Sequence, residues 1–220
     1  MQKTSRKLKR GEEGEQLVSL TLDKDSSFHR LINNLVLLGE NNVSHQIDHI
    51  LVRENGIFVI ETKNHFGRIT GLEDDSYWKK TYPYKGRVKT ETFHNPLKQN
   101  QSHIRIIKRV LGKDCPIYCF VVFVRSNVDE LDLFNVCVPN DILKRINLIT
   151  SDKPLSKEVI ESIYQTLLDK EAYVNDEMHL ESIKKIHEYQ ATYNPIMKQK
   201  EVKELYRGWK KAVKATRMFK

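Results

Sequence analysis

An acidic residue and a lysine lie two positions apart at the end of an apolar, β-branched run. The run IFVIETK covers residues 57–63, and it ends with Glu61 and Lys63. In a strand, residues two apart point to the same face, so these two side chains project together. Charged groups at the end of an apolar run are costly to bury unless they are paired or bind a metal. The run therefore predicts a strand that ends in a functional or ion-paired cluster.

A second acidic residue, Asp48, lies on the preceding β-branched run, across the turn signal Asn55-Gly56. A two-residue turn there predicts that Asp48 pairs directly with Lys63, with Glu61 diagonally within reach. Two converging carboxylates form a site for a hard cation such as Mg²⁺. A neighbouring lysine can orient or deprotonate a water, or stabilise charge on a phosphate. A plain surface ion cluster at a strand end remains the alternative.

The elements that would position these residues follow from hydrophobic periodicity and turn signals. Asn95-Pro96 begins a helix and Gly112 ends it, while residues 116–124 form a continuous apolar run typical of a buried central strand. The pattern predicts helices at 11–22, 95–112, 156–170, 176–193 and 196–219, and strands at 30–38, 46–53, 57–63, within 68–91, and at 116–124, 134–138 and 146–150. This order predicts a mixed α/β layer with helices on both faces of a central sheet, followed by a C-terminal helical hairpin.

The basic residues are concentrated in three segments. The chain has 37 Lys and Arg against 29 Asp and Glu, a net charge of +8. Residues 1–10 carry +5, residues 198–220 carry +7, and residues 79–113 hold ten basic residues with Glu91 as the one acid. This distribution suggests a polyanion partner, and solvated surface charge is the alternative. The candidate nucleic-acid-binding residues are Lys79, Lys80, Arg87, Lys98 and Arg105.

Two further features of the basic segments have open interpretations. Tyr77 and Trp78 directly precede the first lysines of the stretch 79–113. They are interpreted either as part of an aromatic–basic surface for nucleic acid or as half-buried aromatic residues of an edge hairpin. The segment 198–220 has the pattern of a basic amphipathic helix, which packs on the core, lies on anionic lipid or follows a nucleic-acid backbone.

Several protein classes are excluded by composition. The longest apolar run, nine residues from Pro116, is far short of the roughly 20 needed for a transmembrane helix. The basic N-terminus lacks the apolar region of a secretory signal. The three cysteines form no disulfide framework and no zinc pattern, which predicts reduced thiols and a cytoplasmic protein.

A set of motifs in order along residues 11–125 carries a family resemblance. The motifs are Gly11-x-x-Gly14-Glu15, Gln46-Ile47-Asp48-His49, Gly56-Ile57-Phe58-Val59-Ile60-Glu61-Thr62-Lys63-Asn64, Gly67-x-Ile69-x-Gly71, Trp78 and Asn95-Pro96-Leu97-x-Gln99-Asn100. Together they resemble the nuclease-related domain (NERD) family, which is assigned to the PD-(D/E)xK nuclease superfamily. The resemblance implies a PD-(D/E)xK-like αβββαβ core, a divalent-metal site and hydrolysis of phosphodiester bonds in DNA.

The resemblance also assigns roles to residues. Asp48 and Glu61 match the metal-binding acids, and Lys63 matches the catalytic lysine. In the resulting hypothesis, the carbonyl of Thr62 joins the two acids in holding Mg²⁺. The residue before Asp48 is Ile47, where the superfamily's name has a proline.

The same resemblance also suggests two supporting residues. Glu15 matches an acid of the first helix and Gln99 a glutamine of a later helix; without the resemblance, Glu15 is better explained by the helix dipole. The histidines near the acids are weaker candidates: His49 alternates away from Asp48 as a packing residue, and His65 lies where a substrate could approach.

The interpretation is a Mg²⁺-dependent deoxyribonuclease, with Mn²⁺ able to substitute, DNA as partner and RNA not excluded. It comprises a basic N-terminal arm at 1–10, a nuclease domain at 11–175 and a basic helical extension at 176–220. One alternative is a non-catalytic nucleic-acid-binding module that keeps the nuclease fold. Another is an interaction domain attached to a membrane or partner by its basic tail.

Overall fold

A computed structural model describes residues 2–39, 42–112 and 115–172, with side chains from Lys9 onward. The chain divides into two units, residues 1–175 and 176–220, and the description concerns the first of them. The predicted C-terminal helices at 176–193 and 196–219 lie outside the described residues.

The described residues form four α-helices, seven strands and a short 3₁₀ turn. In chain order these are α1 (Gln2–Leu22), β1 (His29–Leu38), β2 (Ser44–Arg53), β3 (Gly56–Thr70), β4 (Tyr77–Tyr84), β5 (Arg87–His94), α2 (Pro96–Leu111), β6 (Ile117–Asn127), β7 (Val136–Cys137), the 3₁₀ turn (Pro139–Asp141), α3 (Ile142–Asn147) and α4 (Lys157–Leu168). None of the described helices is long and apolar enough to cross a membrane.

The long strand β3 organises one mixed sheet. Strands β1 to β5 are neighbours in chain order and pair antiparallel, whereas β6 runs parallel to β3 and also pairs with β7. The predicted buried strand at 116–124 is confirmed as β6, whose Phe120, Val121, Val122 and Phe123 are fully buried or nearly so. The mixed α/β class is therefore confirmed, with a mostly antiparallel sheet.

Helices cover both faces of this sheet. On one face, Val59 of β3 packs with Ile107 of α2 and Ile163 of α4. On the opposite face, Phe58 packs with Val18 of α1 and with residues of α3. Because neighbouring strand residues point to opposite faces, the apolar run of β3 fills both layers.

The turn between β2 and β3 differs from the prediction. Arg53 pairs with Gly56, so the two turn residues are Glu54 and Asn55 rather than Asn55-Gly56. The side-chain amide of Asn55 donates to the carbonyl of Ile146 in α3 at 3.0 Å and to that of Ile149, just after the helix, at 2.8 Å. Gly56 has a φ of +144°, and a Cβ there would lie 2.7 Å from the ring of Tyr118. These contacts outside the hairpin fix a turn that its own two residues do not specify.

Two boundaries and one strand also differ from prediction. The helix predicted at 11–22 begins at Gln2, so residues 2–10 of the predicted basic arm are helical. The strand predicted at 134–138 is confined to Val136–Cys137. The strand predicted at 146–150 is wrong, because its start is the end of helix α3. Ile142 and Ile146, four residues apart, are both buried on one helical face, and so short an apolar run does not distinguish strand from helix.

Candidate active site

Asp48 and the end of β3 meet where the β2–β3 ladder finishes. The register that pairs His49 with Ile60 sets Asp48 opposite Glu61, which corrects the predicted pairing with Lys63. The offset is two residues, so the predicted sharing of one face is kept. The carboxylate Oδ2 of Asp48 accepts a hydrogen bond of 2.8 Å from the backbone N–H of Thr62. The predicted acids are therefore neighbours across two strands.

Lys63 connects the strand acids to helix α2. Its ammonium Nζ lies 2.6 Å from Oε1 of Glu61 and donates to Oε1 of Gln99 at 3.0 Å. The Glu61 side chain is 3% exposed and the Lys63 side chain 20% exposed, so the lysine lies at the mouth of the site and the acid below it. Gln99 reaches the site because the Asn95 side chain accepts from the N–H of Leu97 and begins α2 at the sheet's end. The structure thus brings Glu61, Lys63 and Gln99 into contact.

Helix α1 carries Glu15 to the same region. It approaches β3 at Gly14, where a Cβ would lie 2.9 Å from the Cβ of Asn64. The amide of Asn64 donates to the backbone carbonyl of Arg10 at 2.5 Å, and its oxygen accepts from Arg125 at 2.8 Å. A helix residue with a side chain at position 14 would push α1 away from the strand. Gly14 therefore permits the close approach that places Glu15 within electrostatic range of Glu61.

The site concentrates negative charge. Burial, and then the carboxylate of Glu61, raise the pKa of Asp48 to about 8, although the Thr62 N–H and Lys63 oppose this rise. Burial and the charge of Glu61 also raise the pKa of Glu15. Asp48 and Glu15 thus both respond to the charge of Glu61, and a cation added beside Asp48 and Glu61 would favour the ionised forms of these two carboxyl groups.

A polar network lies beneath Thr62 on the opposite face of the sheet. Nδ1 of His49 is 2.7 Å from Oδ1 of Asn33, and its Nε2 is 3.1 Å from Oγ1 of Thr62. The amide oxygen can only accept, so His49 donates from Nδ1 and accepts at Nε2. Burial lowers the pKa of His49 to about 4, which agrees with a neutral ring. His49 does point away from Asp48 as predicted, but it hydrogen-bonds Thr62, a role that alternation alone does not indicate.

Helix α2 contributes a histidine that sequence reasoning missed. Nδ1 of His103 lies 3.8 Å from Oε2 of Glu61, and both atoms are buried with no hydrogen-bond partner. Burial, and then the nearby His45 and Lys63, lower the pKa of His103 to about 4. The signal was the four-residue spacing from Gln99, which sets both side chains on one helical face.

Asn100 is a second residue whose role the sequence did not reveal. Its side-chain amide is fully buried and donates to the carbonyls of Val59 in β3 and Phe120 in β6, at 2.7 and 2.9 Å. One helix residue thereby fixes α2 against two parallel strands next to Gln99. The position of Gln99 depends on this attachment.

The predicted nucleic-acid-binding residues are distributed over two elements. Lys79 and Arg87 are exposed on the β4–β5 hairpin, and Lys80 forms an ion pair with Glu91 at 2.9 Å. On α2, the Lys98 ammonium donates to the carbonyl of Asp74 at 2.7 Å, and Arg105 donates to Ser102 at 2.8 Å.

The aromatic residues near them differ in exposure. Trp78 is fully buried and donates to the carbonyl of Leu72 at 2.8 Å, so it belongs to the core. Tyr77 is 54% exposed, and His65 packs against Phe93 with ring centroids 4.7 Å apart.

No three His, Cys, Asp or Glu side chains within the described ranges form a ready metal cluster. The donor set at the site is instead two carboxylates, Asp48 and Glu61, with one buried oxygen of Glu61 lacking a hydrogen-bond partner. Mg²⁺ is commonly held by one or two carboxylates while it keeps several waters. The residues present therefore fit a magnesium ion better than a metal that requires a full protein cage.

Two comparisons bear on this geometry. A family model described as "Nuclease-related domain" (NERD) matches residues 10–124, which include every acid and amide of the site. A protein of Bacillus anthracis with the description "uncharacterized protein" is 32% identical over 166 residues, 72% of this chain and 76% of the relative. No solved structure matches the chain.

Proposed function

The chain belongs to the nuclease-related domain family, and from this we propose that it is a Mg²⁺-dependent phosphodiesterase that cleaves DNA. The observation that carries the proposal is the contact of Lys63 with both Glu61 and Gln99 beside Asp48. Carboxylates buried together with a lysine contribute little to stability, and a strongly perturbed pKa among them marks a candidate functional site. In this proposal, the αβββαβ nuclease core consists of α1, β1 to β3, α2 and β6.

Each residue of the site has a separate task in this proposal. Asp48, Glu61 and the carbonyl of Thr62 would hold Mg²⁺, and Mn²⁺ would substitute for it. The ion, when bound, supplies charge stabilisation at the scissile phosphate and lowers the pKa of a bound water. Lys63 orients the attacking water and offsets negative charge on the phosphate. Gln99 accepts a hydrogen bond from Lys63 and so keeps its ammonium directed at the reacting atoms.

The raised pKa of Asp48 links metal binding to pH. A carboxyl group whose pKa is near 8 holds a proton through much of the neutral range, and a cation must displace that proton. Metal affinity should therefore increase as pH rises toward 8. Glu15, whose pKa is also raised, would contribute a weaker effect in the same direction.

The substrate and compartment are parts of the same proposal. The site's lysine and the exposed basic side chains near it suit a polyanionic strand, and we propose DNA, with RNA as a substrate to be compared. A cytoplasmic location is supported by the three free thiols, Cys115, Cys119 and Cys137.

The test is cleavage of plasmid DNA by the full chain in Mg²⁺ and after exhaustive chelation. We expect nicking in Mg²⁺ or Mn²⁺, none in EDTA, and about 100-fold slower cleavage by Lys63→Ala with unchanged circular dichroism. Gln99→Ala should lose less, because Lys63 keeps its contact with Glu61. If the protein retards DNA on a gel without metal and does not cleave it with metal, it is instead a nucleic-acid-binding module that keeps the nuclease fold without the activity.

A further inference from the structure

The β4–β5 hairpin extends beyond the rest of the sheet as a two-stranded ribbon. β4 pairs with β3 only through Lys79, Lys80 and Thr81, whereas β4 and β5 pair along their full lengths to Tyr84 and Arg87. Among the described strands, the outer part of the ribbon, residues 82–89, therefore pairs only within the ribbon itself. No atom of the described residues lies within 4 Å of where a Cβ of Gly86 would be, in agreement with a projecting tip.

The two faces of this ribbon carry different side chains. The continuous register from Tyr77–His94 to Tyr84–Arg87 contains no bulge, so alternation assigns each residue to a face. One face begins with the buried pair Trp78 and Phe93 and continues outward. Its outer members are Lys80, Tyr82, Tyr84, Arg87, Lys89 and Glu91. Among the paired positions 77–84 and 87–94, the opposite face has Lys79 as its one Lys or Arg, together with His94.

The basic face lies on the same side of the sheet as the candidate active site. Lys80 pairs with Ile69 of β3, and Ile69 packs with Trp78 and with Leu97 of α2. Lys63 contacts Gln99 of the same helix, so the site and the basic face share the α2 side. A nucleic-acid strand bound at the candidate active site could therefore continue along the basic side chains of this face.

Tyrosine rings alternate with cations on this face. The ammonium groups of Lys85 and Lys89 lie 5.5 and 5.6 Å from the ring centroid of Tyr84, which is 52% exposed at the tip. Tyr82 is held more firmly, since its hydroxyl donates to Glu91 at 2.8 Å. Lys80 and Lys89 both pair with Glu91, at 2.9 and 2.5 Å, so the three basic residues of this face, Lys80, Arg87 and Lys89, outweigh its single acid. An exposed ring beside these cations suits a single strand of nucleic acid, because a base can stack on Tyr84 while phosphates meet the cations. The bases of a duplex are already stacked and offer no free face.

We propose that this face, from Lys80 to Tyr84 at its tip, binds single-stranded nucleic acid that extends to the cleavage site. The inference rests on the proposed function and adds the substrate form. Arg87 and Lys89 contact phosphates of the strand, and Tyr84 stacks on a base. Lys79, on the other face, takes no part.

The test measures binding to a fluorescent oligothymidylate and to a mixed-sequence duplex, with the full chain in EDTA, where binding is separated from cleavage. Tyr84→Ala should weaken oligothymidylate binding about tenfold and Tyr84→Phe should stay near wild type, because the ring alone is needed. Duplex affinity should change less than about twofold. Arg87→Ala should reduce the log–log salt slope by about 0.7, whereas the matched change Lys79→Ala, equal in charge, should leave it unaltered.

The outcomes separate this inference from the proposed function. Unchanged oligothymidylate binding by Tyr84→Ala would overturn the inference, as would an equal loss for duplex or equal effects of Arg87→Ala and Lys79→Ala. If the wild type gives one of those results but cleaves DNA in Mg²⁺, the proposed nuclease function is kept and only the single-strand-binding face is rejected. A chain that neither binds nor cleaves any nucleic acid would overturn both.

Discussion

Replacing Asp48 by asparagine should make the metal-free protein more stable while removing its activity. The substitution keeps an oxygen that accepts the Thr62 N–H at 2.8 Å and deletes the charge. Ionising a carboxyl group whose pKa moves from 3.8 in the unfolded chain to about 8 in the folded protein opposes folding. At pH 7 this amounts to about 4 kcal/mol if nothing relaxes, and water entry with movement of Glu61 should reduce it to about 2 kcal/mol.

The pH dependence has a definite sign. Between about pH 4 and pH 8 the folded state of the wild type binds more protons at Asp48 than the unfolded state does. The free energy of unfolding therefore falls as pH rises through this window, and Asp48→Asn lacks this decline. The two proteins should match near pH 4 and differ most at about pH 8.

Urea denaturation in EDTA at about pH 4, 6 and 8 measures this difference. Asp132→Asn is the matched control, because Asp132 is exposed and its change should stay within about 0.5 kcal/mol. Added Mg²⁺ should stabilise the wild type and not Asp48→Asn, since a ligand stabilises the state that binds it. Parallel pH curves for wild type and Asp48→Asn, or a less stable variant at about pH 8, would show that the Asp48 carboxylate does not oppose folding.

Two other predictions concern residues outside the metal-binding set. Asn100→Ala should lower the free energy of unfolding by about 3 kcal/mol, because two buried strand carbonyls lose their donor; the exposed neighbour Gln101→Ala should change it by less than about 0.5 kcal/mol in the same urea assay. Deletion of residues 198–220, which carry +7, should reduce the log–log salt slope of DNA binding by roughly 3 if half of these charges meet phosphates. An unchanged slope in a folded truncation would assign the contacts to the basic stretch within residues 79–113.

The site was predictable to the extent that its residues lie on regular elements. The alternation of Glu61 and Lys63, and the hairpin that returns from Asp48, follow from a period of two, which is insensitive to a register offset of two residues. The start of α2 after its N-cap Asn95 was also predictable, because the cap is a hydrogen bond between residues adjacent in the sequence.

The parts that the sequence did not reveal depend on long-range contacts. The turn at Asn55 is determined by the carbonyls of Ile146 and Ile149, more than 90 positions along the chain. His103 acquires its role from Glu61 of β3, and its spacing from Gln99 indicates the shared helical face but not this contact. Asn100 acquires its role from β3 and β6 and carries no local signal for it. His49 alternates as a packing residue would, and only its hydrogen bonds to Asn33 and Thr62 distinguish it. The spacing of residues along the sequence does not indicate which distant group a single polar side chain contacts in the folded protein.

The most direct test of the metal-dependent mechanism is anomalous diffraction from crystals soaked in Mn²⁺. We expect one strong anomalous peak within ligand distance of carboxylate oxygens of both Asp48 and Glu61, at roughly 2.0 to 2.3 Å. That peak should be absent from crystals of Asp48→Asn soaked in parallel. A protein that cleaves DNA in Mn²⁺ but binds the ion elsewhere, or leaves Asp48 and Glu61 without a peak, would contradict it.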